Sequence, residues 1–160
     1  AVDYALYLKG LINFNADLGL FAQLGGQDLT ERDPKAAREA FDNFKELVTR
    51  FPDSKYAADA TLRMNYLVNA LASHEVHVAR YYLRRGAPLA AINRAQFAVR
   101  TYPNAPALEE ALAIMVVAYE DLNQPELKAD AERVLRKNFP NTTFVSTVKD
   151  YKPASWWRLW

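Results

Sequence analysis

The sequence predicts an all-α protein built from stacked helix pairs, and three observations lead to this fold class. Apolar residues recur at spacings of three and four, the period of an amphipathic helix. The sequence contains no sustained alternation of apolar and polar residues and no Asn-Gly or Asp-Gly turn, the two patterns that would indicate a β-hairpin. An aromatic residue followed by proline ends a helical pattern three times, at Phe51-Pro52, Tyr102-Pro103 and Phe139-Pro140.

Residues 79–103 show how one helix pair is built. Ala79 and Tyr82 precede a Gly-Ala-Pro break at 86–88. Three alanines follow the break at helical spacing, Ala91, Ala95 and Ala98. A glycine suits the left-handed position that ends one helix, and a proline suits the first turn of the next. This layout is typical of a tetratricopeptide repeat, although an ordinary helical hairpin would share it.

Internal repetition favours the tetratricopeptide interpretation. Pro140 lies 37 residues after Pro103, close to the period of about 34 of this class, whereas Pro103 lies 51 residues after Pro52. We therefore predict an irregular array, a tetratricopeptide-type α-α superhelix, over residues 1–144, with repeats roughly at 1–52, 55–103 and 106–140. Residues 145–160 are predicted to form an aromatic C-terminal tail.

Three segments are predicted before the first aromatic-proline pair. A helix is expected over residues 1–16, with Gly10 as a point of close approach to another helix. Residues 15–32 are rich in glycine and are predicted to form a long loop. Asp33 is expected to be the N-cap of the second helix, with Pro34 at its first helical position.

The third helix is expected to be unusually long. Residues 55–85 contain neither glycine nor proline, so an unbroken helix there would span roughly 46 Å. Such a segment either forms one helix that serves two layers of the array or bends near Ser73-His74. We favour the single helix.

Three helices are predicted in the C-terminal half. One spans Pro88 to Tyr102. Asn104 is expected to cap the next, with Pro106 in its first turn. Its apolar stripe would be Leu108, Leu112, Met115, Val116, Tyr119 and Leu122. The last helix follows a turn at 123–125, and four of its residues are expected to face inward, Leu127, Ala131, Val134 and Leu135.

The composition describes one compact unit with a substantial core. Of 160 residues, 51% are apolar, enough to bury a core. The net charge of +1 favours neither a nucleic-acid groove nor an anionic membrane surface. The absence of cysteine excludes disulfides and thiol catalysis. Because the sequence starts in what reads as a helix already in progress, we expect a fragment whose N-terminal part was removed.

No set of residues predicts catalysis, and we expect no catalytic residue, metal or cofactor. His74 and His77 could share a helical face, but a metal site needs more ligands, so a surface or capping role is favoured. No phosphate-binding glycine loop or nucleophile motif is present. Binding is the favoured class of function, because stacked helix pairs mostly work by holding other proteins.

Two surfaces are candidates for partner contact. One is a basic cluster of Arg80, Arg84, Arg85 and Arg94, which is either a solvated rim or a dock for acidic side chains. The other is the group of three tryptophans in residues 156–160, which either caps the helix stack or contacts a partner or membrane interface.

Five stretches of the chain carry a family resemblance. They are DYALYLKGL at 3–11, RDPKAAREAF at 32–41, FPDSKYAADA at 51–60, VARYYLRRGA at 78–87 and INRA at 92–95. With them, the chain from residue 3 to about 144 resembles the BamD (ComL) family of lipoproteins, part of the machine that inserts β-barrel proteins into the outer membrane of Gram-negative bacteria. The aromatic ending resembles the β-proteobacterial form of this family.

The resemblance implies a periplasmic protein of five repeats with a lipidated cysteine, of which this chain matches the third to fifth repeats and lacks the anchor. In the family, the C-terminal repeats dock a POTRA domain of the barrel subunit BamA, and an arginine in an Asn-Arg motif pairs with a POTRA glutamate. Arg94 matches that arginine, within the motif Asn93-Arg94. Arg85 and Tyr82 are added as partner-binding residues by their position.

The resemblance therefore implies a non-catalytic scaffold of the β-barrel assembly machinery, at the periplasmic face of the outer membrane. Its expected partners are the BamA POTRA domain, other assembly subunits and unfolded outer-membrane proteins, with no nucleic acid, and with membrane contact only through the lipid anchor. Two alternatives stay open. One is a periplasmic tetratricopeptide adaptor that links cell-wall synthesis to envelope constriction, and the other is an α-helical enzyme.

Overall fold

The computed structural model describes residues 1–18 and 34–151, with the side chains of all of them except 16–18. Within these residues the protein has seven helices and no β-strand, which confirms the predicted all-α class. The helices are α1 (Val2–Leu18), α2 (Lys35–Arg50), α3 (Ala57–Arg84), α4 (Pro88–Thr101), α5 (Leu108–Asp121), α6 (Pro125–Asn138) and α7 (Phe144–Lys149). The chain divides into two compact units, unit 1 at Ala1–His74 and unit 2 from Glu75 onward.

In unit 1, α1 packs against α2. The buried residues of α2 recur at threes and fours, Ala37, Ala40, Phe44 and Leu47. Gly10 of α1 lies against the ring of Phe44, and a Cβ atom built on Gly10 would be 2.6 Å from Cδ1 of that ring. The predicted close approach at Gly10 is therefore confirmed, because no larger residue fits there without displacing Phe44.

The junction between α1 and α2 differs from the prediction at both ends. Since α1 continues to Leu18, residues 15–18 are helical and the predicted loop over 15–32 is wrong there. The rest of that loop lies outside the described residues, as does Asp33. Pro34 immediately precedes the first helical residue, Lys35, and its carbonyl accepts a 3.0 Å hydrogen bond from the Arg38 N–H.

The long third helix is confirmed. α3 has 28 residues and a length of about 42 Å, and it is continuous through Ser73 and His74, where a bend was the alternative. The boundary between the two units falls within this helix, between His74 and Glu75.

In unit 2, α5 packs against α4, α6 and α7. The helix pair predicted around the Gly-Ala-Pro break is present: Gly86 has φ +70°, and Pro88 is the first residue of α4. The alanine stripe of α4 is fully buried, at Ala91, Ala95 and Ala98. Because three helices surround α5, ten of its residues are buried, so its apolar surface is much broader than the predicted stripe. Leu122, the last residue of that stripe, is exposed.

Three further predictions for unit 2 are corrected. Asn104 does not cap α5: it adopts a left-handed conformation, with φ +75°, and the helix begins only at Leu108. Leu127 and Val134 of α6 do not face inward and are 46% and 40% exposed. The short helix α7, where no helix was predicted, buries Val148 completely.

Candidate partner-binding site

The four predicted partner-binding residues lie on both sides of the turn between α3 and α4. Tyr82 lies in the last turn of α3, and Arg85 directly follows that helix. Asn93 and Arg94 lie in α4. The turn is closed by backbone hydrogen bonds, with the N–H of Ala87 donating to the Tyr82 carbonyl over 3.0 Å. Such bonds satisfy the last carbonyl groups of a helix, so the turn holds both helix ends in fixed positions.

The exposed surface of α4 combines polar and apolar side chains. At 100° per residue, the buried alanines occupy one side of the helix, and the residues on the other side include Leu89, Asn93 and Phe97, with Arg94 on the flank that meets Glu75. We call these four the outer face of α4. Leu89 is 62% exposed and Phe97 is 42% exposed. Sequence reasoning missed both, although their apolar positions outside the alanine stripe were a usable signal.

Arg94 is held by a buried carboxylate. Its Nη1 donates a 3.2 Å hydrogen bond to Oε2 of Glu75 in α3. The side chain of Glu75 is 1% exposed, whereas that of Arg94 is 47% exposed. A guanidinium group has five N–H donors in a planar fork, so Arg94 can bind Glu75 and a second carboxylate at the surface.

Arg85 and Tyr82 are connected through Tyr81. The guanidinium of Arg85 lies 5.5 Å from the centre of the Tyr81 ring, a cation–π contact, and the rings of Tyr81 and Tyr82 meet edge to face at 5.7 Å. Tyr81 is 49% exposed. This end of α3 therefore presents an aromatic ring with a cation above it to solvent.

The predicted basic cluster is divided among separate partners. Arg80 binds Glu110 of α5 with two hydrogen bonds of 2.7 Å, from Nε and Nη2. Both Arg80 and Arg84 lie over the ring of Tyr151, at 5.4 and 5.0 Å. Burial, with the nearby Glu110 carboxylate, raises the pKa of the Tyr151 phenol. Arg80 thus joins α3 to α5, whereas Arg94 binds Glu75 and Arg85 lies over the ring of Tyr81.

The histidine pair and a cavity of unit 2 bear on metal and ligand binding within the described residues. Among residues 1–18 and 34–151, no group of three or more His, Asp or Glu side chains could hold a metal ion, and His74 and His77 are each partly buried. A cavity of about 470 Å³ in unit 2, beside Pro103, Leu112 and Phe139, has no titratable side chain in its lining. None of the helices in the described residues has the length and hydrophobicity that a membrane span requires. The tryptophans of residues 156–160 lie outside the described residues.

Comparison with known proteins gives consistent matches. The family model YfiO, described as an outer membrane lipoprotein, matches residues 1–135. An outer membrane protein assembly factor BamD from Neisseria meningitidis serogroup A is 52% identical over 159 residues, covering 99% of this chain and 60% of the relative. The protein of that name from Xylella fastidiosa Temecula1 is 39% identical over 92% of this chain and 50% of its own length. The one from Vibrio cholerae is 37% identical over 86% and 57%. The chain thus spans about half to 60% of the length of these relatives.

Proposed function

The chain belongs to the YfiO family of outer membrane lipoproteins, and we propose that it is the partner-holding part of an outer membrane protein assembly factor. On this proposal it is a non-catalytic scaffold at the periplasmic face of the outer membrane. Its partner is a POTRA domain of the barrel subunit BamA, with other assembly subunits and unfolded outer-membrane proteins as further partners. The observation that carries the proposal is Arg94, half exposed on a rigid helix above a buried carboxylate.

The outer face of α4 has the composition of a protein–protein contact. Arginine and aromatic residues are enriched where binding energy is concentrated, and Arg94 and Phe97 supply one of each within a single turn. Leu89 and Asn93 continue the same exposed side of the helix. Because α4 is fixed by its buried alanines, binding would require little ordering of the backbone, which reduces the entropic cost of association.

The charge of Arg94 sets the chemistry of the partner. A planar guanidinium binds carboxylates with directed hydrogen bonds, so the partner surface should place a glutamate or aspartate opposite Arg94. The neighbouring apolar side chains would exclude water from that contact and strengthen it. Asn93, beside Arg94 in the chain and exposed, can donate and accept hydrogen bonds at the rim.

The proposal is tested by titrating this chain with the isolated POTRA domain in a calorimeter. Arg94→Glu should weaken binding by about 30-fold or more, because truncating or reversing one partner of a buried charge pair costs roughly 2–5 kcal/mol. Because Arg94→Glu also places a second carboxylate beside the buried Glu75, affinity is measured at a temperature where circular dichroism shows the helix content of the variant to be unchanged. Arg136→Glu is the matched control, since Arg136 is an exposed arginine of α6 and the change in net charge is the same.

Two results would reject the role of Arg94. One is unchanged affinity in Arg94→Glu, and the other is an equal loss of affinity in Arg136→Glu, which would indicate a general effect of charge. Capture of cell-wall enzymes in place of a barrel subunit would instead support the adaptor that links cell-wall synthesis to envelope constriction.

A further inference from the structure

We propose that Glu75 is a positioning residue, which holds Arg94 in the orientation that its partner's carboxylate meets. The inference rests on the proposed function, because it concerns how Arg94 is presented. The two residues lie 19 positions apart, Glu75 in α3 and Arg94 in α4. Their contact therefore exists only because the two helices are folded against each other.

The burial of Glu75 is the first argument. Glutamate is almost never fully buried unless it is paired, yet this side chain is 1% exposed. A buried ion pair gives a fold little net stability compared with apolar residues of the same volume. Stability alone therefore explains the buried carboxylate poorly, and its hydrogen bond to Arg94 supplies a further role.

The second argument is the exposure of Arg94. An unrestrained arginine on a helix surface samples many rotamers, and binding must select one of them at a cost in entropy. The hydrogen bond from Nη1 to Oε2 of Glu75 ties one nitrogen to the helix pair while about half of the side chain remains exposed. Arg94 is thus ordered before the partner arrives.

The pair also changes what the partner encounters. Because Glu75 and Arg94 have opposite charges, the pair is neutral overall. The partner therefore meets the directed N–H donors of Arg94 and little net charge. Repulsion between Glu75 and the partner's carboxylate is the opposing effect. It is the smaller one, because the Glu75 carboxylate is buried and the adjacent guanidinium offsets its charge. Positioning by Glu75 should therefore strengthen binding.

A double-mutant cycle on the dissociation constant for the isolated POTRA domain tests this. Glu75→Gln keeps the size of the side chain and removes its charge, and it should weaken binding by about three- to tenfold, because a neutral amide oxygen holds the guanidinium less firmly than a carboxylate and leaves more of Arg94 to be ordered on binding. In an Arg94→Ala background, the same change should alter affinity by less than about twofold, since interacting residues are not additive. A purely structural role would not produce this dependence.

Glu110→Gln is the matched control. Glu110 is also a buried glutamate that binds an arginine of another helix, but its partner is Arg80. This variant should lower the melting temperature and leave the affinity unchanged. All affinities are measured at a temperature where thermal unfolding shows each variant to be folded. If Glu75→Gln does not fold, Glu75→Met, apolar and similar in volume, replaces it in the cycle.

The outcomes separate this inference from the proposed function. If Arg94→Ala loses binding and Glu75→Gln does not, the positioning role is wrong and the proposed function stands. If Arg94→Ala binds normally, the role of Arg94 itself fails. A measurement on the unmodified chain adds an independent check: the ¹⁵N relaxation of Arg94 Nε should show an order parameter near that of the backbone, and a value below about 0.6 would overturn the inference.

Discussion

The two units of the chain are stabilised by different interactions. Unit 1 is packed with aromatic rings, with centroids 4.7 to 6.3 Å apart among Tyr4, Tyr7, Phe14, Phe44, Tyr56 and Tyr66. Its ion pairs include Arg63–Asp59 and Arg50–Glu46, each one turn apart on a single helix. The core of unit 2 is mostly alanine, valine, leucine and isoleucine. Several ion pairs there join different helices, as in Arg80–Glu110, Arg94–Glu75 and Lys149–Glu120, although Arg133–Asp130 lies within α6.

The candidate site includes one of the interhelix ion pairs of unit 2. Small side chains allow helix backbones to approach closely, which brings charged groups of one helix within reach of the next. A buried carboxylate on α3 can then hold an arginine of α4 at the surface, as Glu75 holds Arg94. In unit 1 the comparable polar contact, between Asp59 of α3 and Tyr7 of α1, lies beside stacked rings, and its carboxylate is much more exposed than that of Glu75.

The largest effect is expected from the aromatic core of unit 1. Phe44 is fully buried against Phe14, Tyr7 and Gly10. Phe44→Ala should lower the free energy of unfolding by about 3–5 kcal/mol, because the removed ring leaves a cavity. Urea titration followed by circular dichroism measures this loss.

Phe97→Ala is the control for that experiment. Phe97 is the same type of residue on α4 of unit 2, but it is 42% exposed, so its loss should be well under half as large. Similar losses in both variants would contradict the assignment of the larger effect to the burial of Phe44.

A smaller effect is expected from the interhelix ion pair of unit 2. Arg80→Ala removes both hydrogen bonds that Arg80 donates to the carboxylate of Glu110. The side chain of Glu110 is 12% exposed. The expected loss in the free energy of unfolding is about 1–3 kcal/mol. Arg133→Ala provides the comparison, because Arg133 binds Asp130 over the same 2.7 Å but both side chains are more than 60% exposed. That variant should lose less than about 1 kcal/mol. Equal losses would show that burial does not strengthen the Arg80 pair.

The helices that could be predicted are those with strong local signals. The Gly86 and Pro88 pair marks the turn between α3 and α4 because each residue has a backbone preference that fits one position. The long helix α3 was predictable because its segment contains no residue that breaks a helix. In both cases the decisive information lies within a few neighbouring residues.

The elements that could not be predicted depend on contacts distant in sequence or on ambiguous residues. Asparagine is common both as an N-cap and in the left-handed conformation, so Asn104 could be either. The six residues of α7 are too few for a periodic pattern to be recognised. The exposure of Leu127 and Val134 depends on which neighbours cover α6, and a helical pattern alone does not specify them.

The candidate site was likewise only partly predictable from the sequence. Arg94, Asn93, Arg85 and Tyr82 were nominated from the family resemblance and from position, and their role stays a prediction. The carboxylate beneath Arg94 was not foreseen, because Glu75 looks like an ordinary helix-surface residue in sequence. Only the pairing of α3 with α4 brings it into contact with Arg94.

The smallest effect is expected from the polar cluster beside the rings of unit 1, and it depends on pH. Oδ2 of Asp59 accepts hydrogen bonds of 2.6 Å from Nε of Arg63 and from the hydroxyl of Tyr7. These two bonds, that of Arg63 first, hold the pKa of Asp59 below its usual value of 3.8. The unfolded chain therefore binds a proton more readily than the folded one, and the contribution of Asp59 to stability is present above about pH 4 and lost as the pH falls below it.

Asp59→Asn should accordingly lower the free energy of unfolding by less than about 1 kcal/mol at neutral pH, since the Asp59 side chain is 44% exposed. Urea titrations between about pH 6 and pH 2.5 should show this difference from the unmodified chain shrinking as the pH falls. Tyr7→Phe removes one of the two hydrogen bonds and retains the ring that stacks on Tyr56 at 4.7 Å, so it should reduce the pH dependence only in part. A difference that stays constant with pH would contradict the lowered pKa of Asp59, because asparagine has the same size and lacks only the titrating charge.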